Sequence, residues 1–287
     1  MPDPLRRYLA AQRDLGGDEV LFDVPVALPA TVAVAPRTRA SAATPVAPAT
    51  PASAAPAPAA IAAAPSRPRV VPVISEENAV GWRKGAPPIP GPGLVVNVTA
   101  PDRWSTLAEV ADVVSTCTQC PLCTGRTKTV PGEGNAQARL MLIGEGPGET
   151  EDLTGRPFVG RAGELLDKIL ESIEAPRATV FIANVVKCRP PRNRAPLPDE
   201  RAACLPYLHR QIALVKPKVL LALGSTAAEA MLGVKKPLGE IRLKVHEWNG
   251  IPLIVTYHPA ALLRNPNWKR PAWDDVRIAR QLLDIDD

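Results

Sequence analysis

Five cysteines are the residues of this 287-residue chain whose type and spacing point most directly to chemistry. Cys117, Cys120 and Cys123 form a C-x2-C-x2-C run, and Cys188 and Cys204 follow with fifteen residues between them. An odd number does not suit a disulfide framework, and in a reducing compartment clustered thiols more often ligate metal or do catalysis. Four thiolates can close a tetrahedral zinc site or hold a four-iron cluster. Spacing chooses neither the metal nor the surplus member of the N-terminal trio. Cys188 lies in Lys187-Cys-Arg-Pro-Pro-Arg192, a basic, proline-rich loop and a poor place for a core cysteine. That favours a metal centre over two buried thiols.

A second group of residues is Gly144-Glu-Gly-Pro-Gly148, with Glu149, Glu151 and Asp152 directly after it. Glycines let a backbone turn tightly and approach a ligand closely. No G-K-[ST] follows, so this is not a phosphate-binding P-loop, nor is it a G-x-G-x-x-G. The carboxylates would repel phosphate, which leaves a small molecule or a nucleobase as the fitting ligand.

The elements that must position these groups alternate. Arg139–Gly144 reads as a buried strand and 162–173 as a helix. Thr179–Val185 reads as a strand, and 198–214 as a helix with Asp199 and Glu200 in its first turn, where negative charge is favoured. Lys218–Leu223 is a third strand, followed by a helix opened by Ser225. Ile251–Thr256 is a fourth strand, and a last helix runs over 273–283. Alternation of this kind predicts an α/β fold with a central parallel sheet and helices on both faces, in three layers. Ligands then bind outside the carboxyl ends of the strands, where 144–152, 184–194 and 257–265 fall.

The rest of the chain is different. Residues 1–27 hold Leu5, Tyr8, Leu9 and Leu15 among charges, a short helical segment that could dock a protein partner. Residues 28–100 are dominated by Ala, Pro, Val, Thr and Ser, and are expected to form a disordered linker. Residues 101–287 are the expected domain. A net charge of +5 suits a polyanionic partner without demanding one. No apolar run is long enough to span a membrane and the start lacks a secretory signal, so a cytoplasmic protein is expected.

Taken together, the motifs resemble those of family 4 uracil-DNA glycosylases. The matching segments are Gly144-Glu-Gly-Pro-Gly148, Glu151-Asp152 and Gly155-Arg-Pro-Phe-Val-Gly-Arg-Ala-Gly163. They continue with Asn184-Val-Val-Lys-Cys-Arg-Pro-Pro191, Asn193-Arg-Ala-Pro-Leu-Pro-Asp199 and His258-Pro-Ala-Ala-Leu-Leu-Arg264. They lie in family order and span about 107 to 283. The resemblance implies hydrolysis of the N-glycosidic bond of deoxyuridine in single- or double-stranded DNA, leaving an abasic site. It also implies a [4Fe-4S] cluster of structural role on Cys117, Cys120, Cys188 and Cys204, with Cys123 spare. A monomer is expected.

Carried over residue by residue, Gly144 and Gly146 line the uracil site, and Phe158 stacks on the flipped base from an exposed turn. Asn184 reads its Watson–Crick edge. His258 donates to uracil O2, where charge develops. Glu151 crowds C5 against thymine. Gly146 stands where better-known uracil glycosylases use aspartate, so Glu145 beside it or a backbone carbonyl is expected to position the attacking water. Arg189, Arg192, Arg194, Arg264 and Lys269 are the expected phosphate contacts, and Leu262-Leu263-Arg264 a wedge. Two alternatives keep the pocket without turnover: a non-catalytic module and a covalent trap for uracil-DNA. The trap needs a reactive histidine after the second strand, and Cys188 to Asp199 has none. A zinc-bound structural domain is a third alternative.

Overall fold

The computed structural model of the protein describes residues 81–285. The segment 1–27 and most of the expected linker lie outside them. Seven strands form one sheet: β1 (Pro92–Val96), β2 (Glu133–Gly134), β3 (Leu140–Gly144), β4 (Phe181–Asn184), β5 (Val219–Leu223), β6 (Val245–Trp248) and β7 (Ile251–Thr256), in the order β1-β6-β7-β5-β3-β4-β2. The four predicted strands are its parallel centre, β7-β5-β3-β4. Around that centre the sheet is mixed, because β2 runs antiparallel to β4 and β6 antiparallel to β7. The β6–β7 hairpin turns on Asn249 and Gly250, both at positive φ, as a two-residue hairpin requires.

The helices are α1 (Leu107–Thr116), α2 (Glu149–Thr154), α3 (Arg161–Ser172), α4 (Pro198–Val215), α5 (Ser225–Leu232), α6 (Leu238–Ile241), α7 (Pro259–Arg264) and α8 (Lys269–Asp284). Apart from Ile251, which opens β7, the central strands are buried throughout, so their alternate side chains feed opposite layers. Met141, Ile143, Leu220 and Ala222 face one core, with Val114 of α1, Leu208 of α4 and Met231 of α5. Leu140, Leu142, Val219 and Leu221 face the other, with Leu166 of α3 and Val276 and Leu282 of α8. Helices therefore cover both faces, as expected.

The linker boundary at residue 100 needs correction. Residues 81–100 belong to the fold: β1 pairs with β6 at the sheet edge, and Trp82 is buried. Arg277 of α8 donates to the carbonyls of Lys84 and Gly85, which fixes this entry segment against the last helix. Proline-rich composition disguised a strand whose partner lies about 150 residues later.

The order of strands creates the crevice. From β3 the chain passes to β4 on one side, then through α4 to β5 on the other side of β3. The loops leaving β3 and β5 diverge, and such a switch point leaves a ligand-sized gap at the carboxyl ends.

Candidate active site and cysteine centre

A cleft of about 650 Å³ opens at that switch point. Its walls include Glu145 and Gly146 after β3, Asn184 at the end of β4, Thr226 after β5, and His258 after β7. Four strand ends thus converge on one space.

Asn184 sits on the floor, 1% exposed, and its Oδ1 is buried with no hydrogen-bond partner among the described residues. Leaving a buried acceptor unpaired costs about 1–3 kcal/mol, so the site is built for a group that donates there. Room is made by Gly144, where a Cβ would stand 2.3 Å from Asn184 Oδ1 and 2.6 Å from the Phe158 ring.

Phe158 is not on an exposed turn as expected: it is 5% exposed and packs in the core below the cleft. Its backbone is left-handed (φ 51°), unusual for an aromatic residue. Two side chains hold that strained turn. Glu151 Oε1 accepts from the backbone N–H of Val159 and of Gly160, both at 2.9 Å. Arg177 donates to the carbonyls of Pro157 and Phe158. The Glu151 carboxylate is thereby locked while still lining the cleft. The Phe158 and His258 rings lie 5.4 Å apart, tilted by 31°.

His258 caps α7, its Nδ1 accepting from the N–H of Ala260 at 3.2 Å. That bond leaves the proton on Nε2, so the neutral ring is a donor. Burial, with the charge of Arg264 adding to it, pushes the His258 pKa down to about 4. Gly224 at φ 90° lets the β5 loop come against the His258 side chain; a Cβ there would meet the histidine Cβ at 3.0 Å. Glu145 accepts a short hydrogen bond from Thr226 Oγ1, and Gly146 keeps the loop against Val186.

Thr226 and Gly224 escaped the sequence reading. The rule that ligands sit at strand ends names three loops there but applies equally to the fourth, after β5. Lys187 was missed as well. It is fully buried, and its Nζ donates to the Asn184 carbonyl at 2.9 Å and to Gln211 Oε1 at 2.6 Å.

The charged loop residues divide. Arg194 is committed to the fold through a two-point pair with buried Glu200, at 2.7 and 2.8 Å, which removes it from the expected phosphate contacts. Arg189 bonds Asn193 and lies 3.7 Å from Glu149. Arg192, Arg264 and Lys269 are exposed, with no ion pair among the described residues. In the expected wedge, Leu262 is buried, whereas Leu263, 40% exposed, and Arg264 project.

The five cysteines all line one small hollow between α1, α4 and the loop after β4. None is in a disulfide. Four of the sulfurs receive a donor. Tyr207 Oη reaches Cys117 at 3.2 Å, Arg126 reaches Cys188 at 3.2 Å, and the Lys187 N–H reaches Cys204 at 3.3 Å. The Leu122 N–H serves Cys120. Donors aimed at sulfur favour thiolates, the ligating form, and Cys123 has no such donor among the described residues. Without a metal to take up the charge, burial pushes the Cys204 thiol up to about 12. Among the described residues no three ligands are arranged around a single ion. Thiol sulfurs gathered around one hollow are the donor type that both zinc and iron–sulfur clusters take.

The description "Uracil DNA glycosylase superfamily" matches residues 131–277. A type-4 uracil-DNA glycosylase of Thermotoga maritima is 46% identical over 185 residues, covering 63% of this chain and 96% of that protein. Type-4 uracil-DNA glycosylases of Saccharolobus solfataricus and Pyrobaculum aerophilum are each 44% identical. They cover 61% and 56% of this chain, and 85% and 86% of their own lengths. Fold, cleft and sequence relationship converge: the chain belongs to the uracil DNA glycosylase superfamily, with the type-4 uracil-DNA glycosylases.

Proposed function

We propose that this protein hydrolyses the N-glycosidic bond of deoxyuridine in DNA, releasing uracil and leaving an abasic site. The observation that carries the proposal is the buried Asn184 Oδ1, without a partner among the described residues, in the same cleft as Phe158 and the His258 donor. A base can enter only after leaving the stack. Uracil N3–H donates to Asn184 Oδ1, and the amide NH2 donates to O4. Cytosine presents a bare N3 and an N4 donor, so each contact becomes a mismatch. Thymine adds one methyl at C5, and the locked Glu151 carboxylate is assigned to that wall.

As the glycosidic bond breaks, its electron pair goes to uracil and negative charge collects at O2. The neutral His258 Nε2–H is the preorganised donor for that charge. The sugar becomes oxocarbenium-like, and water adds at the anomeric carbon. Glu145, fixed by Thr226, orients the water and takes up its proton. A weak base suffices when the leaving group departs first.

Cys117, Cys120, Cys188 and Cys204 are proposed to hold a [4Fe-4S] cluster, which when bound supplies a rigid crosslink and no redox step. The crosslink ties the loop after β4, and with it Asn184, to the N-terminal end of the domain. The protein is read as a monomer acting in the cytoplasm on uracil-containing DNA. No described helix is long and apolar enough to cross a membrane. The test is incubation with oligonucleotides that differ only in uracil, cytosine or thymine at one position. Alkali-labile abasic product from uracil alone is expected; its absence rejects the reading.

A further inference from the structure

Beside His258 the cleft carries an aromatic stack that the steps above do not use. Tyr257 and Trp268 are stacked face to face, with centroids 5.0 Å apart and planes 11° from parallel. Both are half-buried and both line the cleft. The other face of Tyr257 is covered by the Arg242 guanidinium, 4.5 Å from the ring centroid. Arg242 is itself clamped by Asp275, 0% exposed, through bonds of 2.7 and 2.9 Å, and it also donates to the Pro271 carbonyl.

The layers Asp275, Arg242, Tyr257 and Trp268 therefore make a column rooted in α8 and ending in the cleft. Its lower part is pinned without help from Trp268. Both faces of Tyr257 are occupied, so the indole is the terminal layer. The position of Trp268 is set by the turn before it, where Asn265 Oδ1 accepts from the Asn267 N–H at 3.2 Å, and by the start of α8 directly after it. Lys269, the next residue, and Arg264, which lines the same cleft, are both exposed and outside any ion pair among the described residues. A π-face beside uncommitted positive charge is the pattern that holds single-stranded nucleic acid, one base per aromatic and phosphates on the cations.

We propose that Trp268 is the stacking platform for the base of the nucleotide next to the extruded uracil, with Lys269 and Arg264 taking the adjoining phosphates. The inference rests on the uracil-DNA reading for the identity of the strand. Tyr257 directly precedes His258, and Trp268 lines the same cleft as the proposed O2 donor. Stacking is indifferent to base identity because every base has a π-face. The platform thus binds uracil's neighbour without imposing a sequence, and it offers a binding term that needs no second strand.

The test uses single-stranded oligonucleotides with one uracil. The set has natural bases on both sides, a tetrahydrofuran abasic analogue on the 5′ side, or the same analogue on the 3′ side. With the full-length protein, one of the two analogues is expected to raise KM about tenfold. Trp268→Leu, which keeps apolar contact with Tyr257 but has no π-face, is expected to raise KM on the natural strand by a similar factor. It should then be insensitive to that same analogue. Trp268→Phe should retain most of the effect. Independent, multiplying losses from the variant and from either analogue would overturn the proposal, as would a Trp268→Leu protein with unchanged KM. Anisotropy measurements on strands that lack uracil but keep or lose the neighbouring base read the platform separately. A wild-type protein that discriminates these strands yet releases no uracil would overturn the proposed reaction and leave the platform standing.

Discussion

Lys187 Nζ donates to the backbone carbonyl of Asn184 at 2.9 Å, so a buried ammonium lies directly behind the residue assigned to read the base. The same ammonium bonds Gln211 Oε1, and Gln211 in turn donates to the Pro131 carbonyl. Burial lowers its pKa to about 8, which keeps it mainly charged at neutral pH. Lys187→Met would fill the space and leave two buried oxygens without a donor, at about 1–3 kcal/mol each. A lower thermal midpoint is expected, together with slower single-turnover uracil release as Asn184 loses its support. A variant with wild-type melting and release would show that the site tolerates the missing bonds.

The turn carrying Phe158 should be equally sensitive to a single methyl. Gly163 lies in α3, where alanine would normally help by about 1 kcal/mol. Here a Cβ would overlap the Phe158 carbonyl, 1.9 Å away. Gly163→Ala is therefore expected to destabilise, by about 1–3 kcal/mol for such overpacking, and to weaken uracil binding. Denaturant melts give the sign; stabilisation would mean that the turn relaxes freely.

Glu145→Gln keeps the shape and the Thr226 contact but removes the base. Single-turnover cleavage should fall by about 10²-fold or more, while binding to uracil-DNA persists. Equal cleavage by variant and wild type would remove Glu145 from the water-positioning role.

The histidines set an acid limit. His258 and His209 both have pKa values pushed down to about 4, chiefly by burial, with Glu151 opposing the shift at His258. An unfolded histidine titrates near 6.5. Between about pH 6.5 and pH 4 the unfolded chain binds protons that the folded one refuses, so stability falls as pH drops through that window. Denaturant midpoints at pH 8, 6 and 5 measure the decline. Uracil release should show no inflection near 6.5, since the ring is already neutral there; one that disappears in His258→Asn would instead identify imidazolium as the donor.

The cysteines can be separated optically. Cys188→Ser and Cys204→Ser are expected to lose the brown visible absorbance of an iron–sulfur protein and to melt earlier. Cys123→Ser should keep both, because no donor among the described residues is aimed at its sulfur. Colourless wild-type protein containing zinc by elemental analysis would contradict the assignment.

Much of this site is readable in one dimension because its parts sit at strand ends. Gly144 and Asn184 directly follow apolar runs and His258 follows one by two residues; read as buried strands within the α/β alternation, these runs imply their convergence. The cysteines are legible by spacing. What is hidden depends on contacts made after folding. Thr226 is an ordinary helix residue until Glu145 meets it. Lys187 and Arg194 look like surface cations in a basic loop, yet one is wholly buried and the other is spent on Glu200. Phe158 reads as an exposed turn residue from its neighbours Pro157 and Gly160, whereas its ring closes the lower core. β1 is hidden for another reason: proline-rich composition outweighs a short apolar run.

That same strand has a bearing on how the protein behaves in crowded solution. β1 is the outermost strand beside β6, and the run entering it, Pro87-Pro-Ile-Pro-Gly-Pro-Gly93, is short of backbone donors. A proline cannot extend a ladder to a foreign chain. The stretch most like a linker is thus a guard rail against edge-to-edge aggregation. A version begun at residue 101 would leave the β6 amides uncovered and is expected to precipitate where the longer chain stays monodisperse.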